Sequence, residues 1–397
     1  MKHPIHAVVL DLSATGIGIV RSLKAKGIRV YAFDVKSKYE IGKTRHATCD
    51  SCPNPVSEQM KLVQFLVRFG KGFKEKPVLY AGSDDFVQFT SKHRSILYRY
   101  YRFLLPSKLV VDAVLDKKLT YELAVKHNIP CPKIFAIRNE HQLEQIINEV
   151  TFPCILKPVY SSDFRKRISH RLYKKAILIE KASELREKYV TYVPFGELML
   201  QEIIPGDETS IYSVKTFFDD QMNLIGIYMN QKIHQFPPDF GSSAMVLSIR
   251  DEEVIQQAVT FLKKLNFKGL AITEFKRDQR DGKLKFIEIN ARIGLTQMLS
   301  IACGVDVAYL YYLSLTDQQP TPVTSQREGV KWVYLVRDYM SFLQKRKEGK
   351  MTIAQWIKSL SGKKVEALFT WNDPLPFIRS FVSHVRNLRV RKLNGKE

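Results

Sequence analysis

The chain has 397 residues, enough for two or three domains, and at 45% hydrophobic and 26% charged it has the composition of a soluble globular protein with ample core. No apolar run approaches the roughly 18 residues of a membrane-spanning helix, and Asp11 interrupts the opening MKHPIHAVVLDLS before it could act as a secretory signal, so a cytoplasmic protein is expected. The formal charge of +22 favours anionic partners without choosing among nucleotides, nucleic acid, acidic metabolites and an anionic membrane; the basic residues are spread along the chain, most of them as a solvated surface.

Residues 1–105 alternate strand and helix, the pattern of a doubly wound α/β unit. HAVVLD and IRVYAF read as strands, GIVRSLKAKG between them as a helix ending at Gly27, and PVLYA as a further strand buried on both faces. SEQMKLVQFLVRF reads as a helix with Met60, Val63, Phe65 or Leu66, and Val67 facing the core. ATGIGIVR offers Gly16 and Gly18 of a dinucleotide fingerprint, and Asp34 ends the second strand where a ribose-binding acid would sit. Arg21 holds the position of the third glycine, so the fingerprint is incomplete, and a tight turn in a scaffold domain is the competing reading.

Residues 106–200 begin with a helix over VVDAVLDKKLTYELAVKH and the turn NIPCPK, followed by a helix around NEHQLEQIINEV and a short buried strand, CILKP. Residues 201–318 hold the turn PGDE, several strands, and the helix DEEVIQQAVTFLKKL, in which Val254, Ile255, Ala258, Val259, Leu262 and Leu265 share a face. DQQPTPVTSQREG is a polar linker, and 331–397 reads as helical and basic. In FIRSFVSHVRNLRVRKL the apolar residues Ile378, Phe381, Val382, Val385 and Leu388 fall on one helical face among Arg379, Arg386, Arg389, Arg391 and Lys392. Such a helix either docks on the body or lies on an anionic membrane. The five cysteines include one CxxC, Cys49 and Cys52, with no second pair to complete a zinc site; they read as incidental thiols rather than as a disulfide framework.

GLAITEFKRDQRDGKLKFIEINAR reads as a β-hairpin. A three-residue loop at 280–282, with Gly282 in the left-handed position, opposes Glu274 to Glu288. Like charges directly opposed are destabilising, so a cation between them is expected, and Mg²⁺ suits two carboxylates supplemented by phosphate oxygens. Asn290 lies one pleat along on the same face, and Arg292 follows. A solvated sheet face with charged rungs is the competing reading. Lys157 ends the buried strand CILKP, where an anion would satisfy it; Lys117 lies on the preceding helix; and LMLQEIIPGDETS runs from a strand into a turn whose backbone could read an adenine edge, with Glu208 placed for ribose hydroxyls.

In their order and spacing, DKKLTYELAVKHNIPCPK, FPCILKP, LMLQEIIPGDE, AITEF and FIEINAR resemble the ATP-grasp superfamily over roughly residues 1–318, and within it the carboxylate–amine ligases, most of all D-aspartate ligase and related amino-acid ligases. The resemblance implies a Rossmann-like domain at 1–105 and a two-lobed α+β ATP-grasp part with nucleotide between a small lobe at 106–200 and a large lobe at 201–318; a basic helical extension occupies 319–397. It implies that Lys117 and Lys157 contact ATP phosphates, that Gln201, Glu202, Ile203 and Ile204 form the adenine-reading hinge, and that Glu208 holds the ribose. Glu274, Glu288 and Asn290 would carry Mg²⁺ or Mn²⁺; Arg292 would meet the carboxylate substrate or its acyl phosphate; Lys232 and His234 fall where substrate or phosphate contacts are found. The glycine-rich flap of many such enzymes is replaced by VYSSDFRKRISHRLYKK, where Ser161, Ser162 and a basic run would cover the phosphates.

The expected function is ADP-forming ligation of a small-molecule carboxylate to an amine through an acyl phosphate, with no side-chain nucleophile and with homodimerisation open. Two alternatives are an ATP-grasp kinase that stops at phosphoryl transfer and a dinucleotide-dependent oxidoreductase using the first domain. A third, a nucleic-acid binder, lacks a stacking-aromatic motif.

Overall fold

The computed structural model describes residues 5–393 apart from 138, 161–163, 165–166, 170–171, 173–175 and 239; Ser161, Ser162 and most of the basic run after them lie outside the described residues. Three sheets organise the chain. Strands β1 (Ala7–Leu10), β2 (Val30–Asp34), β3 (Thr48–Ser51) and β4 (Val78–Ala81) form a parallel sheet in the order β3-β2-β1-β4. Apolar β1 is buried along its whole length because helices cover both faces. The helix Gln59–Gly70 contributes Leu62, Val63 and Leu66 to that core; Met60, expected inside, is 59% exposed, since the buried stripe starts two positions later.

The βα turn after β1 closes on its own carboxylates. Asp11 accepts from the Gly16 amide at 3.1 Å, and a Cβ at Gly16 would lie 1.9 Å from the Asp11 carbonyl. Asp34 is buried and accepts from the Leu12 and Val35 amides at 2.9 and 2.8 Å. Its carboxylate is thus spent on the turn rather than presented to a ribose. Arg21, at the third fingerprint position, is buried and donates to the Leu368 carbonyl at 2.7 Å and to Asp373 at 3.1 Å, tying the first helix to the C-terminal segment. Cys52 is buried, which pushes its thiol up to about 12, and Cys49 is partly buried; both are free.

The second sheet is antiparallel, in the order β5-β8-β6-β7, with β5 Ile134–Ile137, β6 Cys154–Pro158, β7 Ile177–Ile179 and β8 Leu198–Glu202. The stretch before it, expected as one helix, is two: Lys108–Leu115 and Lys117–Lys126. Asp116 separates them in an extended conformation (φ −94°, ψ 113°) and caps the second by accepting from the Leu119 amide at 3.1 Å.

The third sheet has seven strands in the order β13-β12-β9-β10-β11-β14-β15: β9 Ile211–Phe218, β10 Leu224–Phe236, β11 Ser242–Ser248, β12 Gly269–Arg277, β13 Leu284–Asn290, β14 Lys331–Val333 and β15 Lys364–Glu366. One face carries the helix Glu252–Lys264, which buries Val254, Ile255, Ala258, Phe261 and Leu262; Phe261 replaces Val259 of the expected stripe. Part of the other face packs on the N-terminal sheet, so that Val9, Val20, Phe217, Tyr228 and Trp332 share one core. The segment after 318, expected as helical, therefore also supplies two strands. The polar linker before it is pinned to the sheet, with Gln326 bonded to both the amide and the carbonyl of Met229 at 2.7 and 2.8 Å. The final helix, Leu375–Leu393, docks through Phe377 and through Ser380, whose hydroxyl lies 3.1 Å from that of Tyr334. Ile378, Phe381 and Val382 are about half exposed; the side chains of Val385, Leu388, Arg389, Arg391 and Lys392 lie outside the described residues. No described helix is long and apolar enough to cross a membrane.

Candidate active site

A cleft of about 470 Å³ opens between the C-terminal ends of the parallel strands and the free half of the large sheet's inner face. Its floor is a polar rung that crosses four strands. The ladder pairs Glu288 with Glu274, Glu274 with Ser213, and Ser213 with Asn230. Paired residues in a ladder share a face, so these four side chains point to the same side.

The opposition of Glu274 and Glu288 is reached by a route different from the expected three-residue loop. Next to the turn, Phe275 pairs with Phe286 and Arg277 with Leu284, and the Asp278 amide donates to the Lys283 carbonyl at 2.9 Å, which leaves four residues in the loop. Gly282 does adopt positive φ, at 70°. In that register Glu274 would face Ile287. A bulge at Ile287 shifts the strand by one residue and brings Glu288 opposite. The Ile287 carbonyl accepts from the Tyr121 hydroxyl at 2.8 Å, and Tyr121 is buried, so a side chain from the helix Lys117–Lys126 braces the bulge.

Ser213 Oγ donates to Glu274 at 3.2 Å and Asn290 Nδ2 to Glu288 at 3.3 Å. Asn290 Oδ1 accepts from Arg292 at 3.2 Å. Arg292 is held from the N-terminal domain by Asp84, which accepts from Nε at 2.7 Å and from Nη2 at 3.2 Å. Burial works against the guanidinium, and Asp84 with Glu288 and Asp11 outweighs it, so Arg292 stays charged. Among the described residues no three His, Cys, Asp or Glu side chains converge. Two carboxylates beside an amide oxygen are nevertheless a fitting partial shell for Mg²⁺, which keeps several waters and takes phosphate oxygens for the rest.

Lys117 lines the cleft, with Nζ 3.4 Å from the Pro158 carbonyl. Lys232 lines it from β10, buried, with Nζ 3.3 Å from Gln235 Oε1. Thus Lys117, Lys232, Glu274, Glu288, Asn290 and Arg292 come together around one space. The other expected residues lie outside that lining. Lys157 Nζ lies 5.3 Å above the Tyr121 ring, and the Tyr121 hydroxyl oxygen also lies 3.0 Å from Gln201 Oε1. Glu202 accepts from the Lys133 amide at 3.0 Å and from Arg280 at 2.6 Å. Ile203 is half-buried and Ile204 buried just beyond β8. Glu208 is ion-paired with Lys345 of the helix Leu335–Lys347. His234 departs from its expected place: the bulges after Lys232 turn it away from the cleft, and its Nδ1 lies 2.7 Å from Asp338, whose other oxygen accepts from Trp356.

The sequence reading did not find Asp84, Tyr121, Tyr160, Lys215, Asn230 or Arg337, all of which line the cleft. Asp84 carried a usable signal, since AGSDD follows a parallel strand at its C-terminal end, where α/β sheets bind ligands. Tyr160 donates to Asp116, and that bond, aided by burial, pushes its phenol up to about 12.

No family model matches the chain. It is 25% identical over 243 residues to a D-aspartate ligase of Enterococcus faecium (strain Aus0004), an alignment covering 59% of this chain and 57% of that ligase, so the chain spans less than two thirds of its relative. Among solved structures it superposes on an L-amino acid ligase from Bacillus licheniformis with TM-score 0.62 and 15% identity, over 81% of this chain and 76% of that one. It superposes on the ADP complex of an N5-carboxyaminoimidazole ribonucleotide synthetase with TM-score 0.67 and 13% identity, over 88% and 86%. These structural likenesses establish the mixed α/β fold.

Proposed function

We propose that this chain, which has the fold of the ATP-grasp ligases and is a homologue of D-aspartate ligase, is an ADP-forming ligase that joins a carboxylate to an amine. The observation that carries the reading is the rung that sets Glu274 against Glu288 beside Asn290, at the foot of a cleft that also holds Arg292 and Lys117. Mg²⁺ or Mn²⁺ bound there would neutralise charge on a transferring phosphoryl group.

The chain's own residues have the remaining tasks. A carboxylate does not react with an amine at neutral pH, because its oxygen is a poor leaving group. Transfer of the ATP γ-phosphoryl group to a carboxylate oxygen gives an acyl phosphate and ADP; attack by the amine then forms the amide and releases phosphate. Such chemistry asks the protein chiefly for position and charge. Arg292, its guanidinium fixed by Asp84, would orient a carboxylate oxygen for transfer. Lys117 and Lys157 would hold phosphates, the latter alongside Tyr121; Gln201 to Ile204 would read adenine by backbone; Glu208 would reach ribose by sharing its bond with Lys345. Lys232 would contact the acid.

The relatives' names point to amino acids as substrates. A screen of amino acids and amines for amine-dependent ADP release tests the reading: ADP formed without regard to amine would replace it with a kinase, and none from any pair would remove it. The exposed Ile378, Phe381 and Val382, with Arg379 and Arg386 beside them, would place the chain on an anionic membrane. In that case Phe381→Glu with Val382→Glu abolishes sedimentation with anionic vesicles; undiminished sedimentation would exclude the contact.

A further inference from the structure

The helix Leu335–Lys347 is fixed along β10 at several points. Asp338, fully buried in its first turn, lies 2.7 Å from His234 Nδ1 and accepts from Trp356 Nε1 at 2.8 Å. Ser341 donates to the Gln235 carbonyl at 2.7 Å, and the Phe342 ring stacks on Trp356 with centres 4.7 Å apart. Between these anchors and the end of the helix stands Lys345, which donates to Glu208. The two side chains are only 11% and 14% exposed, so this ion pair is largely withdrawn from water and is not one of the screened surface pairs that contribute little.

Glu208 lies in the chain between the end of β8, whose continuation to Ile204 is read as the adenine contact, and β9, which begins at Ile211 and sends Ser213 and Lys215 to the cleft. A nucleotide with its base at the first and its phosphates in the second has its sugar between them. Of the two acids in that stretch, Asp207 is occupied by its own turn, accepting from the amide and the hydroxyl of Thr209 at 2.9 and 2.6 Å. Glu208 has acceptor capacity left: an ionised carboxylate offers about four lone-pair sites, so one ammonium leaves room for two hydroxyls. Burial pulls the ammonium of Lys276, in β12, down, and Asp207, Asp278 and Glu208 work against it, so Glu208 also feels a second cation. What Lys345 supplies is direct contact, and hence direction. We propose that Lys345 is a positioning residue for the nucleotide: it holds the Glu208 carboxylate toward the ribose hydroxyls, so that the C-terminal segment, outside the stretch that carries the ATP-grasp motifs, completes the sugar pocket. This rests on the ligase reading for the presence of a nucleotide and goes beyond it in giving the terminal segment a share of the nucleotide site.

Calorimetric titration of the full chain with Mg·ATP and with Mg·2′,3′-dideoxy-ATP tests the proposal. The wild type should prefer the ribonucleotide by about 10- to 100-fold, the range of two hydrogen bonds to a charged acceptor. Lys345→Met should reduce that preference to about threefold or less, by weakening ATP while leaving dideoxy-ATP unchanged, and Lys345→Arg should restore most of it. Glu208→Gln should also reduce the preference, and Lys345→Met added to it should reduce it no further. Lys345→Gln keeps a donor without the charge; it should fall between wild type and Lys345→Met, and it decides the matter if the methionine variant does not fold. Equal weakening of both nucleotides would mark the pair as structural only, and tighter ATP binding in Lys345→Met would show the lysine competing with ribose; either overturns the proposal. So does a wild-type preference retained in Lys345→Met or, where that variant does not fold, in Lys345→Gln, or no ribose preference in the wild type. If the wild type binds ATP and the ratio does not move, this inference falls alone; if it binds no adenine nucleotide, the ligase reading falls with it.

Discussion

Replacement of Glu288 by glutamine should make the empty protein more stable and the loaded one less so. Side chains directly opposed in an antiparallel pair have Cβ atoms about 4.5–5.5 Å apart, which sets the two carboxylates roughly 6 Å apart. At an effective dielectric of about 20–40 their repulsion is about 1–3 kcal/mol, offset in part by the attraction between Glu288 and Arg292. Glutamine removes that charge and keeps an acceptor for the Asn290 amide. Without nucleotide the melting temperature should therefore rise by about 1–3 °C. Mg·ATP at a hundred times its dissociation constant stabilises a binding-competent protein by about 2.7 kcal/mol. In the variant the magnesium-dependent part of that increment should vanish, and amine-dependent ADP release should fall by about 100-fold or more. Differential scanning fluorimetry with ATP, with and without magnesium, reads both halves. A lower melting temperature in the empty variant, or an intact magnesium increment, would refute the assignment of this rung as a cation site.

Asp84→Ala should free Arg292; a bidentate charged pair discounted for the half-exposed Asp84 is worth about 1–2 kcal/mol, so kcat/KM should drop about 5- to 30-fold with nucleotide affinity unchanged, as steady-state kinetics and nucleotide titration would show. Asp373→Asn leaves the buried Arg21 charge without its counter-ion and should cost about 3–5 kcal/mol in urea unfolding. Burial, aided by Asp11, raises Asp34 from 3.8 to about 6, so the folded protein keeps a proton that the unfolded chain releases between those values. The stability that this proton linkage contributes is present in full below the lower value and lost as pH rises through about 6, about 3 kcal/mol in all. Asp34→Asn should therefore gain stability over the wild type at pH 8 and not at pH 4, as denaturation midpoints at the two values would show.

What could be read from the sequence was short in range. The alternation in FIEIN fixes which side chains share a face, and the opposed glutamates follow once the hairpin is recognised, even though a bulge rather than a shorter loop sets their register. The partners that hold the site depend on contacts between distant parts of the chain. Nothing near Arg292 announces Asp84, 208 residues away, and nothing near Glu208 announces Lys345. Lys215 sits in IYSVKTFF like any lysine on a solvated strand; only the packing of the N-terminal sheet against that face shows it to be buried. Asp116 was legible as a cap and was submerged by helix-forming neighbours on both sides. The helices of 331–397 were visible, but the two strands of that segment are three residues each, too short for a period to declare itself.

The proline-containing stretch near residue 320 invites a cut. A chimaera joined there, to exchange the basic end for that of a related protein, would put its seam through a continuous sheet. It would strip β11 of its neighbour β14, and would carry away Arg337 from the cleft wall and Lys345 from Glu208. Any graft of the terminal segment must therefore transplant with it the sheet edge that receives it.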